Sequence, residues 1–277
     1  MTTQQPAQQP PSKQEAELYD IQTDVKAWAL NTFFQVATKK QRKLNANQLD
    51  LRLIWDDIVV THEDPEYSDN RVAPVPKSHS LFSTTFRNNT DSEQEYSFRT
   101  ERCTRSVAEI ELSRGLVTSK ELGLKLTLPN NVLEANAGFH RELSLNSSTR
   151  QSTEEELSWG VDTRIPVPPK RCAFAEVKVK EEQITSAFRF VTTLQGRMRA
   201  VFYHKQNFIC CVEGDLGTVI ESELRSRTSR KDGSRPHVWV EPRQGAPGKR
   251  VLIETSGRCL FRFGVHQEVE VSERQLS

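Results

Sequence analysis

No apolar run in this sequence approaches the roughly eighteen residues of a membrane-spanning helix, so an integral α-helical membrane protein is excluded. Charge of one sign is missing too. There are 38 Lys and Arg against 37 Asp and Glu, a net charge of +1, and bulk electrostatics therefore selects neither nucleic acid nor an anionic surface. The five cysteines, Cys103, Cys172, Cys210, Cys211 and Cys259, are odd in number and lack metal-ligand spacing, which predicts reduced thiols rather than a disulfide framework. Catalytic signatures are absent: the chain has no glycine-rich phosphate loop, no G-x-S-x-G elbow and no His/Cys set at metal spacing. His62 stands beside Glu63 and Asp64, but no second cluster completes a metal site. These absences predict a protein that is not an enzyme and has no cofactor, no metal and no small-molecule substrate. The opening MTTQQPAQQPPSKQEAE has neither a basic n-region nor an apolar h-region. It predicts no secretory signal peptide, and a soluble protein that is cytoplasmic or released non-classically.

What is present is β-rich. Hydrophobic residues make up 35% of the chain, enough for a core, while the mean hydropathy of -0.63 marks a very soluble protein. Residues 1–14 form a Gln/Pro-rich tail expected to be disordered. Between Leu18 and Thr38, apolar residues recur at three- and four-residue steps. They predict an amphipathic helix capped near Thr23 or Asp24, with the cluster Lys39-Lys40-Gln41-Arg42-Lys43 as its solvated basic end. Asp50–Thr61 reads as one or two strands, and RVAPVPK after it as an extended linker.

Beyond Ser78, short alternating segments dominate. Ser80–Arg105 carries a hairpin-like break at Asn88 to Thr90, and Ser147–Trp159 is a second Ser/Thr/Glu-rich strand. The prolines of 165–169 suit a rigid edge or crossover. Separate strands are predicted at 172–179, 184–194 and 198–203, with Gly196 turning between the last two. Others are predicted at 207–212, 217–220, 238–240, 251–254, 260–263 and 265–271. The basic stretch Arg225 to Arg250 reads as a loop, solvated or in contact with phosphate headgroups or RNA. Only Trp239 interrupts it for base stacking, so no nucleic acid is expected.

The stretch Gly115–Leu145 organises the rest. Its first arm sets Leu122, Leu124, Leu126 and Leu128 on one face and Gly123, Lys125 and Thr127 on the other, the period of two that a strand requires. Pro129-Asn130-Asn131 supplies turn chemistry. The return arm alternates again, with Leu133, Ala135, Ala137 and Phe139 opposite Glu134, Asn136, Gly138 and His140. The expectation is a long two-faced β-hairpin. Its apolar face packs on a soluble core or, in a second state, meets lipid.

The order of these segments resembles the aerolysin-like pore-forming proteins, in particular the epsilon-toxin and mosquitocidal-toxin branch. The residues that carry the resemblance are the break at Asn88 to Thr90, YSFRTERCTRS at Tyr96 to Ser106, the hairpin, Trp159 with Ile165-Pro166-Val167-Pro168-Pro169, and the closing SGRCLFRFGVHQEVEVSE. The resemblance spans roughly Val75 to Glu273. It implies a mainly β fold: an elongated, aerolysin-like twisted antiparallel structure with a small helix-containing N-terminal region. Residues 15–74 would be an α+β region able to bind a receptor, and 75–277 the pore-forming module with its insertion hairpin at 115–145.

The resemblance further implies a homo-oligomer on membranes, with membrane lipids or a membrane receptor as partners, and a cytolytic or defensive role. Leu122, Leu124, Leu126, Leu128, Leu133, Ala135, Ala137 and Phe139 would face lipid. Lys125, Thr127, Glu134, Asn136 and Gly138 would line the lumen, and Pro129, Asn130, Asn131 and Val132 would form the tip. The alternative is a non-lytic β-rich binding module for a glycan, lipid headgroup or protein. Its candidate receptor contacts are Trp28, Phe33, Phe34, Trp55 and Tyr67, set against the reading that these aromatics are core.

Overall fold

A computed structural model describes residues 16–75, 79–117, 123–146, 148–227 and 237–275. The Gln/Pro-rich tail and Leu122 lie outside the described residues. The chain opens with β1 (Glu17–Tyr19) and α1 (Ile21–Val36). The carboxylate of Asp20 caps α1 by accepting from the Gln22 and Thr23 amides at 3.0 and 3.3 Å, so the cap falls three residues before the earliest position expected. Asp24 lies in the first turn instead, buried, and accepts from the Tyr19 hydroxyl at 2.7 Å. Ile21, Val25, Ala29 and Phe33 form the buried stripe at four-residue steps.

Strands follow as β2 (Asp50–Ile54), β3 (Ile58–His62), β4 (Glu66–Pro74), β5 (His79–Asn88) and β6 (Gln94–Leu116). Next come the short β7 (Leu124–Thr127), a helical turn α2 (Asn130–Glu134) and β8 (Glu142–Leu145). The chain continues with β9 (Arg150–Val167), β10 (Arg171–His204), β11 (Asn207–Asp215), α3 (Leu216–Arg227), β12 (Val238–Pro242) and β13 (Lys249–Gln275).

β10 is the spine. It pairs antiparallel with β13 from Arg171↔Gln275 to Gln195↔Arg250. Along its other edge it takes β5, β4, β3 and β2 in turn, and beyond Gln195 β11 takes the edge that β13 leaves. The three strands expected between 172 and 203 are thus one strand of 34 residues, bulged at Lys180/Glu181. Gly196 does not turn the chain. It sits within the strand at φ 141°, where an added Cβ would lie 2.0 Å from the Asp57 carbonyl oxygen. The short segments read from 251 to 271 likewise fuse into β13, because the pleat runs through their polar gaps.

Three further expectations change. The Pro-containing linker is largely strand: Ala73, Val72 and Arg71 of β4 pair with Gln183, Ile184 and Thr185. Residues 217–220 are helical rather than extended, because Leu216, Val219 and Ile220 bury one face of α3 and Asp215 Oδ2 accepts from the Thr218 amide at 3.0 Å. The stretch 225–250 is not one basic loop: it contains the end of α3 and all of β12. Its described cations are largely matched, with Arg225 and Lys249 on Glu221 and Arg250 on Glu241. Arg230, Lys231 and Arg235 lie outside the described residues.

β6 pairs β13 on one side and, over Gln94–Glu111, β9 on the other. β9 pairs with no other strand among the described residues, an edge position that accommodates Pro166. The β6–β9 ribbon lies over β5, β10 and β13, with Phe98, Ile165, Val167, Ala173 and Val177 buried between the layers. Asn88 ties this end together, its amide donating to Ser92 O and Val167 O at 2.7 and 2.9 Å. Trp159 lies against Gly264, where an added Cβ would come within 2.5 Å of the ring, and donates to Thr104 Oγ1 at 2.8 Å.

Candidate membrane-insertion hairpin

β6 and β9 lead into and out of the organising stretch. Between them β7 and β8 form a two-stranded sheet of their own, with Leu124↔Leu145, Lys125↔Ser144, Leu126↔Leu143 and Thr127↔Glu142 paired. Among the described residues no ladder joins this pair to the large sheet. Side chains hold it down. Leu124, Leu126 and Leu128 are at most 2% exposed, and with Val132, Ala137, Leu143 and Leu145 they pack into the cluster that includes Phe188, Phe190 and Phe261. Leu133, Ala135 and Phe139 are partly buried against the same cluster, the Phe139 and Phe261 rings 6.0 Å apart. Gly123, Lys125, Glu134, Asn136 and Gly138 are exposed and Thr127 is intermediate. The two faces read from the sequence are therefore separated in space.

The return arm differs from expectation. Residues 132–139 are not a strand, and in this tucked state Pro129 to Val132 begin a helical turn. The Val132 and Leu133 amides donate to Pro129 O at 3.0 and 3.2 Å, closing α2, and Asn136 (φ 50°) and Gly138 (φ 82°) carry the chain out. Val132 is buried, Pro129 too, while Asn130 and Asn131 are exposed. The physical reason is compactness. A helical turn brings Val132, Leu133, Ala135 and Ala137 onto one small apolar surface, which two extended arms would overhang. Leu122, read as a lipid-facing residue, lies outside the described residues.

Contacts distant in sequence fasten the hairpin. The Tyr67 hydroxyl donates to Thr127 O at 2.5 Å, and burial holds that hydroxyl far above the usual phenol range. Gln151 of β9 grips β8, donating to Ser144 O at 2.7 Å and accepting from the Asn146 amide at 2.9 Å. His62 stands at the base of the hairpin. Its Nδ1 is 3.1 Å from Thr192 Oγ1, its ring packs edge-on to Phe190, and the Gly123 backbone lies near it. Burial pulls the imidazole below its ordinary value; Glu142 and the Gly123 backbone oppose this, and Lys125 reinforces it. Lys125 and Glu142 pair at 2.9 Å on the exposed face, and that bond lowers the Glu142 carboxyl. A cleft of about 560 Å³ separates α2 from the β3–β4 connection, lined by Asp64, Tyr67, Asn70, Asn131 and Arg141 among others.

The aromatics proposed as receptor contacts are dispersed. Phe33 and Trp55 are buried in different clusters, Trp28 and Phe34 are partly buried beside Phe33, and Tyr67 belongs to the hairpin fastening. Sequence reasoning did not find the structural roles of His62, Tyr67 and Gln151. Nothing local in the sequence marks a contact 60 residues away along the chain.

A long-stranded β chain that lays a two-faced hairpin, joined by no ladder among the described residues, against its own sheet is built as an aerolysin-like β-pore-forming protein. The sequence model of the family described as Clostridium epsilon toxin ETX/Bacillus mosquitocidal toxin MTX2 matches residues 59–227, and the chain belongs to that family. Among solved structures, a non-toxic crystal protein from Bacillus thuringiensis is 10% identical over 94% of this chain and 98% of its own, with a TM-score of 0.48. The Mpp75Aa1.1 β-pore-forming protein from Brevibacillus laterosporus is 11% identical over 92% and 87%, with a TM-score of 0.45. The Cry23Aa1 and Cry37Aa1 binary complex gives 12%, 94% and 91%, with a TM-score of 0.41. No curated protein matches the chain.

Proposed function

We propose that the chain oligomerises on membranes and inserts the segment between β6 and β9 as two strands of a transmembrane β-barrel. The supporting observation is the tuck itself: an apolar face buried on the sheet, a polar face in water and, among the described residues, no ladder to break. Leaving the sheet for lipid exchanges one apolar surroundings for another, so burial lost on release is regained in the bilayer. Lipid offers no partner to backbone groups, and each hairpin must therefore pair with its neighbours' until the barrel closes, which makes oligomerisation part of insertion. Leu124, Leu126, Leu128, Leu133, Ala135, Ala137 and Phe139 are assigned to lipid, and Lys125, Thr127, Glu134, Asn136 and Gly138 to the lumen. This accounts for a cytolytic or defensive protein that acts from a water-soluble state.

The test uses two adjacent positions on opposite faces. Ala135→Asp places a charge on the lipid face, at about 2–4 kcal/mol near the midplane, and should abolish dye release from liposomes or red cells. Asn136→Asp places the same charge in the lumen and should leave release intact. Asn136 is exposed and Ala135 half-buried in the tucked state, and a thermal melt of each variant checks that the monomer folds. Equal release by the two variants would refute the assignment of faces.

A further inference from the structure

One end of the molecule gathers cations that the strand ladders do not match. Along β6, β9, β10 and β13 positive side chains meet carboxylates across strands, as in Arg105–Glu154, Arg150–Glu111, Lys178–Glu270 and Arg189–Glu66. The connection from α1 to β2 is different. It carries Lys39, Lys40, Arg42 and Lys43, all exposed, and β2 adds Arg52; the acid among residues 37–53 is Asp50. Arg42 donates to the carbonyls of Ala37 and Gln35, and Arg52 lies 5.2 Å over the Tyr203 ring, so both meet neutral partners. Helix-end chemistry accounts for the cluster after α1 but not for the rest, because the β10–β11 turn brings Lys205 to the same end. That turn is fixed there by His204 Nδ1, 2.9 Å from Gln48 O.

Two large apolar side chains stand out of this surface: Val36 is 64% exposed and Phe208 is 63% exposed, with the Phe208 ring edge-on to Tyr203 at 6.2 Å. Strand direction gives the end its meaning. β6 pairs β13, and β13 pairs β10, so that Arg262 and Ser256 relate Val107 to Gln183 and Arg114 to Arg189. β6 thus runs toward the end of β10 that reaches this surface. The tucked hairpin folds back the other way, its base beside His62 and Thr192 and its far end beside Tyr67 and Phe188.

We propose that this end is a docking surface for anionic lipid headgroups, with Lys39, Lys40, Lys43, Arg52 and Lys205 over the phosphates and Phe208 as the apolar anchor. The proposal rests on the membrane-acting reading above and names the surface that first meets the membrane. A hairpin straightened along β6 would then point into the bilayer so bound.

The test is flotation of the full chain with phosphatidylcholine vesicles, with and without phosphatidylserine, read separately from dye release. The wild type should bind the anionic vesicles more tightly and lose that preference as salt rises. Lys39→Gln/Lys40→Gln/Lys43→Gln leaves every named hydrogen bond in place and should weaken binding about a hundredfold, at roughly fivefold per cation. Phe208→Ser should weaken binding to both vesicle types. A control pair on the β6–β9 ribbon, Arg99→Gln/Arg164→Gln, should bind as wild type does, and thermal melts check that each variant folds. Equal binding with and without phosphatidylserine would overturn the proposal, as would a triple variant or Phe208→Ser that binds normally, or a control that loses as much. Docking on anionic vesicles without release upholds this surface and refutes the pore reading. Release with no lipid preference does the reverse.

Discussion

Replacing Leu126 by Ala would separate the stability of the tuck from that of the fold. The side chain is 0% exposed and packs in the cluster shared with the central sheet. Truncating a leucine so enclosed costs about 2–4 kcal/mol, part in lost transfer energy and part in the cavity left behind. Because among the described residues no ladder joins β7 and β8 to the large sheet, the cost should fall on hairpin opening, not on global unfolding. Amides of Leu124, Leu128, Leu143 and Leu145, which face the partner arm, should then exchange about thirty to a thousand times faster, while those of β10 opposite β13 keep their protection. Vesicles exposed to the variant should leak sooner, since the released state is more populated before contact. Hydrogen exchange read by mass spectrometry or NMR decides it. If protection fell by the same factor in β7 and in β10, the hairpin would not be a separate unit, and the reasoning from its missing ladder would be wrong.

Acidification should loosen the same contact. Burial lowers the His62 pKa in the tucked state, so the released state takes up the proton more readily. The tuck is at full strength above the ordinary histidine value of about 6.5 and weakens as pH falls from there toward the lowered value. Exchange at β7 should accelerate over that window, and His62→Gln should flatten the dependence. Lys125→Glu breaks an exposed ion pair and should change tuck stability by less than about 1 kcal/mol. In planar-bilayer recordings it should shift ion selectivity toward cations, because the side chain is assigned to the lumen. Gly196→Ala combines φ 141° with a Cβ placed 2.0 Å from Asp57 O; it should lower the melting temperature by several degrees, at about 2–4 °C per kcal/mol.

The alternation of Leu124, Leu126 and Leu128 against Lys125 and Thr127 by itself determined which side chains of the hairpin's first arm share a face. The helix stripe Ile21, Val25, Ala29 and Phe33 was legible for the same reason: periodicity is a local property, written in consecutive residues. That the proline stretch 165–169 is no central strand was equally visible, since proline has no amide to give a second neighbour; that it ends an edge strand and not a crossover, pairing showed. Local pattern does not say where a strand ends when polar residues continue the pleat. The segments on either side of Lys180 and Gly196 therefore read as separate strands, and it is pairing with β13 across the polar gaps that makes them one. Nor does period two set the register of a return arm. Two extended arms and the observed turn through α2 satisfy the same leucines and alanines, and packing against Phe188 and Phe261 decided between them. The contacts of His62, Tyr67 and Gln151 with the hairpin, and the joining of Lys205 and Phe208 to the cations after α1, were settled by tertiary structure alone. They bring together residues from distant parts of the chain, and no local pattern encodes such a meeting.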